Sequence, residues 1–201
     1  MGVFDIRSEF ASYGEYHANR INVAIHMVFV PTILWTSMGL TTLLSPAPLF
    51  AYPEWAAALL SQLPGPALIA NASTAIMLAF AAFYIVLDQI AGLLALPVIY
   101  TFLVTSQQYA LTASNSLHVL LFIFAFAWIA QFIGHGVFEK RAPALLDNLL
   151  QAFVMAPFFV FLELLFALGY RPGLHRELRN EIGSRILAFR RSHNKNPVKS
   201  N

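Results

Sequence analysis

The sequence predicts an all-α fold: a polytopic membrane helix bundle of about four spans, plus a broken or re-entrant helix and a basic amphipathic C-terminal helix. Three observations carry this prediction. The first is composition: of 201 residues, 58% are hydrophobic and 11% charged, against about 25% charged in an average globular protein. Twelve Lys and Arg with ten Asp and Glu cannot cover a soluble domain of this size, so lipid must be the solvent for most of its surface. The second is spacing: no Asp, Glu, Lys or Arg occurs in residues 21–53, 55–87 or 89–138, and 148–162 is a shorter gap. The third is asymmetry, because the basic residues collect in three places only. Arg7 and Arg20 precede the first apolar window, Lys140 and Arg141 follow the third, and eight more lie beyond residue 170.

A bilayer core takes about 20 apolar residues as a helix, since every backbone group must be bonded internally. Residues 22–44 supply the first span, stopped by Ser45, Pro46 and Pro48. Residues 67–87 supply the second, entered through Leu63-Pro64-Gly65-Pro66. The third window is too long for one helix. It divides at Thr105-Ser106-Gln107-Gln108 and again at 112–115, giving a short span near 90–104 and a longer one at 116–133. The last apolar stretch, 149–168, carries Pro157 and Glu163, both costly in a lipid-facing helix. Lys and Arg favour the cytoplasmic side, and four spans put Arg20 and Lys140 there together. A fifth crossing would send the basic C-terminus to the other face, so 149–168 is expected to be broken, re-entrant or surface-lying. Leu174, Leu178, Ile182, Ile186 and Phe189 recur at helical spacing with arginines off the stripe, a basic amphipathic helix suited to an anionic leaflet. The expected division is a membrane-embedded catalytic bundle over 1–172 and a basic tail over 173–201. No cleavable signal or myristoylation pattern is expected at the N-terminus, where Ile6 stands at the position that needs Ser or Thr.

With no cysteine, disulfides, iron–sulfur clusters, thiolate zinc sites and cysteine nucleophiles are excluded. The formal net charge of +2 gives no argument for nucleic acid. The informative residues are the polar ones beside apolar windows. His17 and His26 stand nine apart, half a turn out of phase on one straight helix. They can meet one metal only if the chain breaks between them, for which Asn19-Arg20 is suited. Asn22 shares a helix face with His26. His135 and Glu139 are four apart, as a helix would present two metal ligands, and Gly134 and Gly136 leave room beside them. The four-span topology brings His17, His26, His135 and Glu139 to the cytoplasmic end. Three imidazoles and a carboxylate suit iron(II), zinc or manganese. Each histidine segment taken alone reads more readily as a bland one: His17 and His26 as hydrated or capping residues, and the His135 segment as an ordinary helix end. His118, 17 helical residues from His135, lies about 25 Å away. His175 and His193 fall in the basic tail. Asn148 and Gln151, three apart on one face, are candidate substrate groups, and Lys140 and Arg141 suit an acidic substrate arriving along the membrane surface.

The strings YHANRINVAIHMVFVPT and QFIGHGVFEKRAPALLDNLLQ, followed by APFFVFLELLFALGY, resemble the 2-hydroxy-fatty-acid dioxygenase family of endoplasmic-reticulum membranes, whose fungal members act in phytosphingosine breakdown. The match covers residue 4 to about 172 and is weakest over 44–115. The resemblance implies iron(II)-dependent α-oxidation, in which a long-chain 2-hydroxy acid and O₂ become CO₂ and the acid one carbon shorter. It implies that the essential histidines are His17, His26 and His135. Glu139, Asn148 and Gln151 sit in the same motif blocks; Glu139 as a fourth ligand, and Asn22, Lys140, Arg141, Asn148 and Gln151 at the substrate, are expected from spacing and charge. Two other readings compete. One is a membrane hydrolase or hydroxylase with zinc or two irons, of which the two-iron enzymes need many more histidines than the four near spans; the other is a non-enzymatic lipid-binding or membrane-shaping protein working through its basic tail.

Overall fold

The computed structural model describes residues 6–140 and 149–195. Among them the chain is helical: α1 (Ile6–Gly14), α2 (Arg20–Leu44), α3 (Glu54–Leu60), α4 (Ala72–Leu87), α5 (Gln89–Thr112), α6 (Ser116–Ile133), a π-helical turn (Gly134–Glu139), α7 (Leu149–Ala167) and α8 (Pro172–Lys195). Asn19 starts α2, its side chain accepting from Ile21 N and Asn22 N. The break expected between His17 and His26 therefore exists, made by a side-chain cap.

The helices alternate in direction. A Cβ on Gly39 would stand 2.9 Å from a Leu120 methyl, and one on Gly134 would collide with the Asn22 amide oxygen, so α2 and α6 are antiparallel neighbours. Helix α4 begins where α2 ends, with Ser73 Oγ 3.0 Å from Thr42 Oγ1. It folds back onto α5 through Asp88 alone, which caps α5 by accepting from Ala91 N at 3.0 Å. Trp35 Nε1 donates to Thr105 Oγ1 at 2.9 Å and sets the level of α2 against α5. The hydroxyls of Thr32, Thr36, Ser37, Thr41 and Thr42 donate to carbonyls four residues back. An apolar helix thus carries hydroxyls without exposing an unpaired group to lipid.

Among the described residues, three helical segments are long and apolar enough to cross a membrane: Arg20–Leu44, Gln89–Thr112 and Ser116–Glu139. Two sequence expectations need correction here. Helix α5 runs unbroken through residues 105–108, and the chain turns only at the second expected point, after Thr112. The polar run is not a turn because Gln107 faces inward. Its amide donates to Asn71 Oδ1 at 3.1 Å and Thr74 Oγ1 at 3.0 Å, and its oxygen accepts from Ile69 N at 2.9 Å. The segment expected to form a span over 67–87 enters as this pinned strand of chain, and α4 itself has only 16 residues.

Helix α7 is continuous through Pro157 over its 19 residues, so it is not broken. The hydrogen bond that proline forfeits is outweighed by burial of Phe158, Phe159, Leu162 and Phe166 in the main core. Phe158 stacks on Tyr84 with centroids 4.6 Å apart, and Phe10 of α1 meets Phe159 and Phe166 edge-on. The apolar stripe of α8 also turns inward. Leu174 and Leu178 are buried in the same core and Ile182 packs on it, while Arg185 reaches Ser12 Oγ of α1 at 2.9 Å. Helix α1 supplies the apolar partner that sequence reasoning had left to lipid. At the corner between α7 and α8, Tyr170 OH donates to Asp88 at 2.9 Å and Arg171 pairs with the same carboxylate.

Candidate metal centre

Antiparallel packing of α2 and α6 brings the start of the first to the end of the second, and three histidines meet there. The ligand atoms of His17, His26 and His135 lie within 4.8 Å of one another. The ring centroids are 4.4, 4.9 and 4.8 Å apart, with interplanar angles of 75°, 73° and 87°. Three mutually steep rings surround one point, as donors to a single ion do.

Local structure fixes which nitrogen is free. His17 Nδ1 donates to Tyr13 O at 2.7 Å, and His26 Nδ1 donates to Asn22 O at 2.9 Å. A carbonyl only accepts, so both rings carry their proton on Nδ1 and keep the Nε2 lone pair for a metal. Tyr13 also stacks on His17 at 3.9 Å and 15°. Burial, reinforced by His26 close by, pushes the His17 imidazole well below its usual range, which holds it in the neutral, ligating form. His135 is buried, and its Nδ1 has no hydrogen-bond partner. A buried polar atom left unpaired costs about 1–3 kcal/mol. A bound ion with its attendant water answers that cost, and an all-nitrogen donor set on an apolar bundle fits a first-row transition metal.

His135 sits inside the π-helical turn, whose wider bonding pattern recurs at functional sites. The turn alters the geometry expected for His135 and Glu139. Glu139 falls outside the group of three. Its Oε1 accepts from Ala18 N at 3.2 Å, and its Oε2 accepts from Asn19 N at 3.0 Å and Asn22 Nδ2 at 3.1 Å. Asn19 Nδ2 returns a bond to Phe138 O at 3.1 Å. The carboxylate thus clamps the linker between His17 and α2 against the turn that carries His135, at the positive end of α2.

Asn22 is fully buried, donating to Glu139 and, at 3.4 Å, to Tyr16 O, while its Oδ1 has no partner. That oxygen faces the Gly134 Cα, where only glycine fits. Lys140 is exposed and ends the turn in the left-handed region, φ 55°. Arg141 and Asn148 lie outside the described residues, and Gln151 stands in the first turn of α7 with its side chain outside them. His118 is exposed on α6 and takes no part in the group. Sequence reasoning missed Tyr13, though its spacing of four from His17 was a usable signal. It also missed Gln131, one turn before His135, whose buried amide nitrogen has no partner.

Helices long and apolar enough to cross a membrane, with three histidines at one end of the bundle that could hold a metal ion, define the class to which the fold points. Residues 3–168 match the family model described as 2-hydroxy-palmitic acid dioxygenase Mpo1-like, and the chain belongs to that family. It is 36% identical over 194 residues to the 2-hydroxy-palmitic acid dioxygenase MPO1 of Saccharomyces cerevisiae, covering 94% of this chain and 98% of the relative. No solved structure matches the chain.

Proposed function

We propose that this chain is an iron(II)-dependent dioxygenase that shortens long-chain 2-hydroxy fatty acids by one carbon. The overall conversion balances as R–CH(OH)–COOH + O₂ → R–COOH + CO₂ + H₂O, with no reductant required. The observation that carries the reading is the meeting of His17, His26 and His135, contributed by two segments more than a hundred residues apart, with two rings held in the ligating tautomer. The relative's name supplies the substrate class.

His17, His26 and His135 would hold the metal. Ferrous iron bound there supplies the activation of oxygen, which no side chain can provide. The protein's own groups set the stage for it. Tyr13 O and Asn22 O fix two imidazoles, and Tyr13 stacks one of them in place. Glu139 holds the two halves of the site together as a positioning residue. Lys140 and Arg141 would draw an acidic headgroup to the bundle mouth, with Asn148 and Gln151 near the start of α7 as further substrate contacts. Asn22, deep in the network, would act through Glu139 and His26.

The legs α2, α4, α5 and α6 would cross the endoplasmic-reticulum membrane, with α7 packed against their cytoplasmic half. Arg20 and Lys140 flank the histidine end of the bundle, which supports that orientation. The pathway served would be sphingoid-base breakdown. The test is anaerobic loading of the purified chain with iron(II), addition of 2-hydroxypalmitate and O₂, and mass spectrometry of the products. Pentadecanoate and CO₂ in equal amounts are expected. Stoichiometric consumption of a nicotinamide cofactor, or untouched substrate with iron bound, would overturn the reading.

A further inference from the structure

The bundle carries one feature that the metal centre does not use. A cavity of about 250 Å³ lies between α2, α5 and α7, with Met27, Leu34, Val98, Phe102, Phe161 and Leu164 among its walls. Tyr84 is its one polar lining residue, and that hydroxyl is engaged with Val154 O at 2.8 Å. The cavity therefore presents an almost wholly apolar wall to a ligand. What enters must be a hydrocarbon.

Its position is specific. Met27 follows His26 in the chain, and Pro157 and Phe158 adjoin Phe159, whose ring packs on Tyr13, the ring stacked on His17. None of the three histidines lines the cavity, but its Met27 end is one residue from His26 in the chain, and its α7 wall is linked to His17 through Phe159 and Tyr13. From Met27 to Leu34 is about 10 Å along α2. Helix α5 stands beside it at the same level, as the Trp35–Thr105 bond fixes. Val98 and Leu164 are partly open on the outer side, so the cavity communicates with the bilayer sideways.

We infer that this cavity is the acyl-chain site: the first methylenes of a 2-hydroxy fatty acid lie between α2, α5 and α7, the polar head reaches the histidines at the Met27 end, and the remaining chain passes out to lipid. The inference rests on the function proposed above. It adds where the substrate approaches, from within the bilayer between α5 and α7, and which residues set the preference for a long chain. Each methylene held in such a pocket shifts discrimination by about 10–200-fold.

Two experiments on the full-length, iron-loaded chain in lipid nanodiscs test it. The first is photolabelling with a 2-hydroxy fatty acid carrying a mid-chain diazirine, mapped by mass spectrometry and competed with 2-hydroxypalmitate. Competable adducts on α5 and α7 between residues 95 and 102 and between 157 and 164 are expected. Adducts equally strong on outward-facing Phe122 and Phe126 would overturn the assignment. The second is Val98→Trp, which narrows the cavity from its lipid side. The ratio of kcat/KM for 2-hydroxypalmitate to that for 2-hydroxybutyrate should fall by at least about tenfold, with iron content unchanged. Phe122→Trp, on the lipid face of α6, should leave the ratio alone. An unaltered ratio in Val98→Trp refutes the site. The labelling needs no turnover, so the two claims separate. Competable labelling of the cavity in a chain that turns over no 2-hydroxy acid supports the site and sinks the reaction. Turnover with scattered labelling does the reverse.

Discussion

Replacing Glu139 with alanine removes an acceptor shared by three donors: Ala18 N at 3.2 Å, Asn19 N at 3.0 Å and Asn22 Nδ2 at 3.1 Å. The two backbone donors lie near the surface, where water replaces the carboxylate at little cost. The Asn22 amide belongs to a fully buried side chain and keeps only a long bond to Tyr16 O at 3.4 Å. A hydrogen bond to a charged group is worth about 1.5–3 kcal/mol, most of it lost when a buried partner is left unpaired. The total cost should therefore be about 2–3 kcal/mol rather than three full bonds. The metal should feel it as well, because groups that orient ligands change affinity by about 10–100-fold. Glu139→Gln keeps one acceptor oxygen but turns an NH₂ towards N–H donors, and should fall between wild type and alanine. The assays are urea unfolding in detergent micelles and anaerobic iron(II) titration. Loss of stability and affinity together, with an unchanged spectrum of the bound iron, is expected. Wild-type stability and affinity in Glu139→Ala would refute the clamp. An altered iron spectrum in Glu139→Gln would make Glu139 a ligand instead.

Further consequences follow from single contacts. Gly134→Ala drives a methyl into the Asn22 amide oxygen and should cost about 1–3 kcal/mol with a marked loss of iron binding, read by the same titration. Tyr13→Phe keeps both the ring stacked on His17 and the carbonyl that orients it, so iron affinity should hold, whereas Tyr13→Ala should weaken it. Gln107→Leu strands several buried polar groups at the opposite end of the bundle and should lower unfolding stability by about 2–4 kcal/mol, while the affinity of the remaining folded protein for iron stays the same. His118→Ala, exposed and remote from the group, should retain most turnover of 2-hydroxypalmitate.

The charge-free windows made the helical class legible, because lipid tolerates few charges and the chain obeys that limit over long stretches. The convergence of His17, His26 and His135 was legible too, from the break expected at Asn19-Arg20 between the first two and from counting crossings. The failures have physical causes. Thr105 to Gln108 looked like a turn because polar residues usually mark one, yet Gln107 is satisfied by a loop more than thirty residues distant in sequence. Pro157 looked like a helix break because the lost hydrogen bond is local, whereas the aromatic burial that offsets it is tertiary. The pairing of His135 with Glu139 assumed an α-helical turn. The π-helical turn places the carboxylate on the neighbouring linker, and no local pattern announces it. The stripe on α8 was visible, but whether lipid or α1 covers it depends on packing.

The most direct measurement is the iron content of the anaerobically reconstituted full-length chain beside His17→Ala, His26→Ala and His135→Ala, each shown to be folded in the same detergent. One iron per wild-type chain, with strong loss in all three variants, is the expected result. A wild type that binds none, or any one of the three variants that keeps its full complement, would contradict a shared three-histidine site.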